Sequence, residues 1–365
     1  MTKVSIVISI VYMLRLKPYF KIIGGDSKMK LTVEQIREIT SGVISVEEND
    51  GLISFHRFTL EQEKLYEAKS ATMYAKMTAP SGVKLSFKTD SKKLFLSITT
   101  AACGSRTYFN LEVFVNGKIL GYLKNFSFDE FDERHPDDKY SLGDFEGEFD
   151  LGDGEKDVCI VLPWSVITEL KEISLDDGAF IEPIKRKKKL LAFGDSITQG
   201  FDALCSSNKY ITKLSDALGM EEINKGIGGE RFFPALNAEK ENFTPDCITV
   251  AYGTNDWNRS DREVFERDCK EFYANLVRNY PNTKIFAITP IWRKDDQRTT
   301  NVGEFSYVDA YIKDVVKDFE NVTVISGYDL VPHEDSMYVG VILHPNDKGF
   351  DHYFNNLYAK IKSLI

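Results

Sequence analysis

The chain has 365 residues, long for one core and comfortable for two domains. Its apolar and charged fractions are those of a soluble globular protein, and a formal net charge of −10 speaks against a general binder of nucleic acid or of an anionic membrane, because both require a positive surface. The five cysteines (Cys103, Cys159, Cys205, Cys247 and Cys269) are scattered, with no close pairs and no metal-ligand spacing, so they read as buried free thiols rather than a disulfide framework.

Residues 4–14 form an apolar run, with Lys3 before it and Arg15 and Lys17 after it. It is too short to span a bilayer. Its length suits the core of a signal peptide, but no small-x-small cleavage site follows. Met29-Lys30-Leu31-Thr32 is an equally good start, and Thr32-x-x-Gln35 forms a capping box that opens a short helix. Residues 1–28 are therefore expected to be a leader or an over-extended start. A cytoplasmic protein is expected, or a secreted one if that leader acts as a signal peptide.

From residue 43 to 180 the signals are those of strands. Residues 84–88 and 93–98 alternate apolar and polar, and 108–115 runs into Asn116-Gly117, with 118–122 following. Asn-Gly between two such runs signals a hairpin, because both central residues of a type I′ turn need positive φ. Asp153-Gly154 is expected to play the same part between 148–151 and 158–162. Short strands with turn signals and few helical stretches indicate an all-β sandwich of jelly-roll type over 30–184. The acidic stretch 128–138 reads as a solvated loop or as one overhanging a neighbouring site. The five basic residues 185–189 run straight into a buried strand and read as a linker at the domain junction.

Beyond the junction, strands and helices alternate. The apolar strand candidates are 190–193, 222–224, 247–251, 284–288 and 322–325. A helix over 261–280 carries a periodic apolar stripe, with Ser260-x-x-Glu263 as its cap, and a last helix from about residue 350 carries another. Such alternation gives a parallel sheet covered on both faces, and right-handed crossovers make it a doubly wound, three-layer α/β/α domain over 185–365.

Chemistry-bearing residues follow the strands of this domain. Gly194-Asp195-Ser196 ends the first, the Gly228-Gly229 pair follows the second, and Gly253-Thr254-Asn255-Asp256-Trp257 follows the third. Trp292-Arg293 follows the fourth, and His344-Pro345-Asn346 precedes the last helix. In a parallel sheet these loops share one edge, where ligands bind. Acyl transfer by a serine needs a base titrating near neutrality and donors aimed at the developing negative charge. His344 can be the base, and Ser196 N–H, Gly229 N–H and the Asn255 amide can be the donors. His56 and His135 lie in the β domain, His352 on the last helix, and His333 beside Glu334 and Asp335. Only His344 combines a pre-helix loop with a Pro-Asn turn. No metal or nucleotide motif is present, and Gly226, Gly228 and Gly229 do not form a G-x-G-x-x-G. No cofactor is expected.

In order, Gly194-Asp195-Ser196, Gly229, Gly253-Thr254-Asn255-Asp256 and His344-Pro345-Asn346 resemble the four motif blocks of the SGNH (GDSL-type) hydrolases, across about residues 187–365. The resemblance implies a flavodoxin-like three-layer fold with Ser196 as nucleophile and His344 as base. It also implies an oxyanion hole of Ser196, Gly229 and Asn255. A β-sandwich ahead of such a domain is similar to the layout of carbohydrate esterase family 2, which implies an acetyl ester of a sugar or oligosaccharide as substrate. Asp195 and Asp256 are expected to brace the site. Trp257, Trp292 and Arg293 are expected either to pack or to contact the substrate. Where the SGNH hydrolases usually place an aspartate three residues before the histidine, this chain has Val341. The preferred expectation is a Ser–His dyad held by a backbone carbonyl, and the alternative is Asp335 folding back to orient the ring. A lipase or thioesterase, and a carbohydrate-binding protein with a decayed site, are the rival functions. The exposed edges of a sandwich also leave room for self-association.

Overall fold

A computed structural model of the chain describes residues 28–136, 139–340 and 342–365. Most of the expected leader, the end of the acidic loop and Val341 thus lie outside the described residues. The described chain opens with the strand Lys28–Lys30, which pairs antiparallel with Val166–Asp176 and sets Met29 opposite Leu175. No helix among the described residues is long and apolar enough to cross a membrane. All five cysteines are free thiols.

The N-terminal half forms two antiparallel sheets. One runs Ser45–Asn49, Leu52–His56, Val166–Asp176, Lys93–Ala102, Asp144–Asp150; the other runs Glu182–Pro183, Lys84–Thr89, Lys156–Val161, Asn110–Val115, Lys118–Lys124. Alternation selects the inner faces. Leu94, Leu96 and Ile98 from the first sheet meet Leu85, Phe87, Val158 and Ile160 from the second in one core.

Asn116 (φ 49°) and Gly117 (φ 74°) form the expected hairpin turn, with Val115 opposite Lys118. The Asp153-Gly154 expectation is corrected. The strand before it pairs with Lys93–Ala102, whereas the strand after it pairs with Lys84–Thr89 and Asn110–Val115. This turn carries the chain from one sheet to the other. Turn residues bend the backbone, but the face a strand buries decides which sheet it joins.

The capping box at Thr32 and Gln35 forms and opens the helix Val33–Ile39. A second box, Thr59 with Gln62, opens Leu60–Lys69, and Ala71–Met77 follows directly. These two helices interrupt the stretch expected to be strands.

The C-terminal half is a parallel sheet of β1 (Lys188–Gly194), β2 (Met220–Asn224), β3 (Cys247–Ala251), β4 (Lys284–Ile288) and β5 (Val322–Ile325), in the order β2-β1-β3-β4-β5. The helices that concern the site and its layers are α1 (Ser196–Gln199), α2 (Tyr210–Ala217), α3 (Thr254–Arg259), α4 (Arg262–Asn279), α5 (Phe305–Val316) and α6 (Asp347–Ile361). Successive side chains of β1 serve opposite layers. Leu190 and Ala192 join the core with α2 and α6, while Leu191 and Phe193 join the core with α4 and α5. The strand order reverses at β1, so its carboxyl end is the topological switch point. The expected cap of α4 is also corrected: Asp261 takes the N-cap position without a side-chain bond, and Ser260 Oγ accepts from Arg231 Nη1 at 3.0 Å instead.

Buried polar groups lock the two halves together. The fully buried Arg57 donates to Ala79 O (2.7 Å) and Met77 O (3.0 Å) within its own half, and to Asn224 O and Gly226 O across the interface. Lys209 Nζ donates to Ser81 Oγ of the β half at 2.7 Å and to Glu222 at 3.2 Å, with both charged side chains out of solvent. Of the junction's basic run, Lys185 Nζ donates to Thr40 O and Arg186 pairs with Asp216, one to each half. Lys209→Met should lower unfolding free energy by about 3–5 kcal/mol, because Glu222 stays buried without its cation. Urea titration of the whole chain reads that loss, and the double change with Glu222→Leu should recover much of it.

Candidate active site

The serine is presented by a turn that leaves little freedom. A Cβ on Gly194 would lie 2.1 Å from Thr198 Oγ1, so β1 can run into α1 this closely only with glycine there. Asp195 caps α1, its Oδ1 accepting from Ile197 N at 3.0 Å. Burial pushes its carboxyl up to about 6, only partly opposed by that N–H and by His344 and Arg293. Asp195 thus ties the end of β1 to the first turn of α1. As the first residue of α1, Ser196 has an N–H that the helix cannot use.

Ser196 Oγ is 2.9 Å from His344 Nε2. His344 sits on a short hairpin that pairs Val339 with His344 and Tyr338 with Pro345, and its side chain keeps about a fifth of its surface exposed. Asn346 then caps α6 through Gly349 N at 3.1 Å, which fixes the turn after the histidine. The overhanging alternative for the acidic loop fits its described part, since Glu133 accepts from Asn346 Nδ2 at 3.1 Å.

The group behind the imidazole is neither of the expected ones. His344 Nδ1 is 2.9 Å from Asp202 Oδ2. Asp335 is instead half-exposed and paired with Lys294 at 2.5 Å. The backbone-carbonyl dyad and the Asp335 triad are thus both corrected by a carboxylate six residues after the serine. Gly200 (φ 114°) and Asp202 (φ 71°) both take left-handed backbone, folding the chain back over α1. An aspartate tolerates that conformation better than most residues, which is the one local signal the sequence offers.

Asp202 is itself gripped from the β half. Arg106 donates to both carboxylate oxygens, Nε to Oδ1 at 2.7 Å and Nη2 to Oδ2 at 3.0 Å, and Trp164 Nε1 donates to Ala203 O at 2.8 Å. Burial pushes the Asp202 carboxyl up, but hydrogen bonds and charge from His344 and Arg106 outweigh it and hold it at about 2. Because that lies below the ordinary carboxylate value, the group's stabilisation is complete above about pH 4 and is lost as pH falls through about 2. Arg106→Gln should therefore cost roughly 1–3 kcal/mol at neutral pH, with the gap to wild type closing between about pH 4 and 2. Urea titrations at several pH values measure it, and a gap constant with pH would refute it.

The expected donors Gly229 and Asn255 lie in the segments that follow β2 and β3. The β2–α loop is held where Gly228 N donates to Gln199 Oε1 at 2.6 Å, and Gly229 follows with φ 87°, a conformation suited to glycine. Asn255, in the first turn of α3, gives one amide hydrogen to Glu230 O at 3.0 Å and retains a second. Asp256 accepts from Phe232 N, and burial pushes its carboxyl up to about 7.

The expected substrate contacts are largely corrected. Trp257 is fully buried, with its Nε1 donating to Gly303 O at 2.9 Å and its ring against Phe305. Arg293 is buried, donating to Thr254 and paired with Asp295 while covering the Trp257 ring. Both brace the third motif block. Trp292 is half-buried, stacked on His333 and edge-on to Tyr338 of the histidine hairpin.

Residues 192–352 match the model of the GDSL-like Lipase/Acylhydrolase family. No curated protein matches the sequence. Among solved structures, the chain is similar to the salicylyl-acyltransferase SsfX3 from a tetracycline biosynthetic pathway (TM-score 0.76, 18% identity, 92% of this chain and 97% of that one). It is also similar to a candidate GDSL-like lipase from Bacteroides ovatus (0.70, 18%, 93% and 97%) and to a family two carbohydrate esterase from Cellvibrio japonicus (0.62, 15%, 93% and 98%). Identities this low speak to the fold, and the coverage extends that likeness over both halves. Within the α/β/α domain the chain thus matches the GDSL-like lipase and acylhydrolase model, and across both halves it shares the fold of these solved structures.

Proposed function

We propose that the protein is a serine esterase that removes acetyl or other short acyl groups from a carbohydrate through an acyl-enzyme. Ser196 attacks the ester carbonyl, and His344 takes its proton and returns it to the leaving alcohol. Asp202 holds the imidazole in the tautomer that faces the serine. Ser196 N–H, Gly229 N–H and the free Asn255 amide hydrogen receive the oxyanion, each worth about 10²–10³ in rate. Water then enters by the reverse path. The observation that carries this reading is the Ser196 Oγ to His344 Nε2 hydrogen bond of 2.9 Å, with Asp202 on the other ring nitrogen. A chain of three intact groups speaks against a decayed site that only binds sugar. The layout shared with carbohydrate esterases of family two supports a sugar ester, with the β half as a jelly-roll sandwich.

The full-length likeness to a salicylyl-acyltransferase favours a second reading, in which the acyl-enzyme is captured by an acceptor alcohol rather than water. Acetate release from acetylated xylan, mannan and short oligosaccharides, alongside a chain-length series of p-nitrophenyl esters, tests both. The esterase reading expects acetate to be released and acetyl esters to outrun octanoyl esters. Faster octanoate cleavage would favour a lipase or thioesterase, and ester formation with an added alcohol in place of acetate release would favour the transferase.

A further inference from the structure

Gly229, the candidate donor, lies between two cations. A Cβ placed on it would stand 3.2 Å from Arg259 Nη1 and 4.0 Å from Lys76 Nζ. The two come from opposite halves of the chain. Arg259 ends α3, four residues after Asn255 and so on the same helix face, while Lys76 lies in the helix Ala71–Met77 of the β half.

Lys76 is built into the wall of the site. Its carbonyl accepts from Gln199 Nε2 at 3.3 Å, and its half-buried Nζ donates to Gly228 O at 3.0 Å. That Nζ also stands 5.7 Å over the Phe201 ring, whose centre is 5.3 Å from that of His344. One of its three hydrogens is used, which leaves donors for a ligand. Arg259 is exposed, and among the described residues no oxygen accepts from its guanidinium.

The charges nearby are committed elsewhere. Arg106, also beside Phe201, grips Asp202, and Glu230 is paired with Lys69 at 2.7 Å. Burial lowers the affinity of the Lys76 amine for its proton, and Arg259 and Arg106 lower it further. Cations held this close repel one another, an arrangement that an anion would relieve.

We infer that the substrate bears a carboxylate next to its ester, as an acetylated acidic sugar does, and that Lys76 and Arg259 receive it beside Gly229. The planar fork of Arg259 suits both carboxylate oxygens, and Lys76 adds a point charge. This rests on the esterase reading and narrows its substrate class.

The test compares the same monoacetate on methyl glucoside and on methyl glucuronoside, which differ at C6 only in hydroxymethyl against carboxylate. Wild type should favour the glucuronoside in kcat/KM by about tenfold or more at low salt, less at high salt. Arg259→Gln and Lys76→Gln should each shrink that ratio several-fold, and Arg259→Lys, which keeps the charge, should retain more of it than Arg259→Gln. Equal rates on the two sugars in wild type would overturn the inference. So would variants that slow both alike, since the cations would then act on the oxyanion of any ester. Hydrolysis of p-nitrophenyl acetate, fast in wild type and about 10⁵–10⁶-fold slower in Ser196→Ala, separates the two failures: if that contrast holds while the sugar preference does not, only the carboxylate site falls.

Discussion

Ser196→Ala should lower kcat/KM on an acetyl ester by about 10⁵–10⁶-fold, and His344→Ala should come close to it. The two losses are expected to be similar because the hydroxyl and the imidazole act as one unit. Without the base, the serine is a poor nucleophile at neutral pH; without the serine, the base has no proton to move. For the same reason the double variant should be no slower than either single one. A residual rate about 10³–10⁴-fold above water should survive in all three, carried by the donors and by substrate positioning. Initial rates with p-nitrophenyl acetate measure this, with far-ultraviolet circular dichroism as the control for folding. Losses that multiplied in the double variant would mean that the two residues act independently, and the 2.9 Å contact would then not be the catalytic one.

What could be read from the sequence was what short-range physics writes into it. All five strands of the parallel sheet stand where the apolar runs put them, with Cys247–Ala251, Lys284–Ile288 and Val322–Ile325 at the expected bounds. Ser196 and His344 came together because a parallel sheet sends every strand-following loop to one edge, whatever the sequence distance. What escaped depended on tertiary pairing. Asp153-Gly154 looked like a hairpin turn because a dipeptide reports a bend and not a partner. Trp257, in α3, and Arg293, after β4, lie at the expected edge but are buried, and burial is not visible in an exposed-looking motif. Arg106 left no local signal, since its relation to the site exists only once the halves have packed. Asp202 was hidden for a different reason. The family's motif places the acid upstream of the histidine, whereas this chain carries a carboxylate in the turn after the serine.

Asp202→Asn is expected to cost about 10³–10⁴ in kcat with little change in KM, whereas Asp335→Asn should stay within about twofold of wild type. The asymmetry follows from hydrogen-bond direction. An Asp202 carboxylate accepts from His344 Nδ1–H, so Nε2 is left bare to accept the Ser196 proton. An asparagine in the same space can turn its NH₂ towards Nδ1, which moves the ring proton to Nε2 and blocks the base. The fold should tolerate the change, because an asparagine can still take the left-handed backbone at this position. Arg106→Gln should fall between these extremes, about 10- to 100-fold down in kcat, since it loosens the carboxylate without removing it. Arg106→Lys should recover only part of that loss, because an ammonium cannot reproduce the fork on both oxygens. Steady-state kinetics on one acetyl ester would order the four variants. Full activity in Asp202→Asn would return the histidine to a backbone carbonyl. A large loss in Asp335→Asn would require Lys294 to release that carboxylate during turnover. The predicted order instead makes the β half part of the catalytic machinery, reaching the serine through Arg106, Asp202 and His344 in turn.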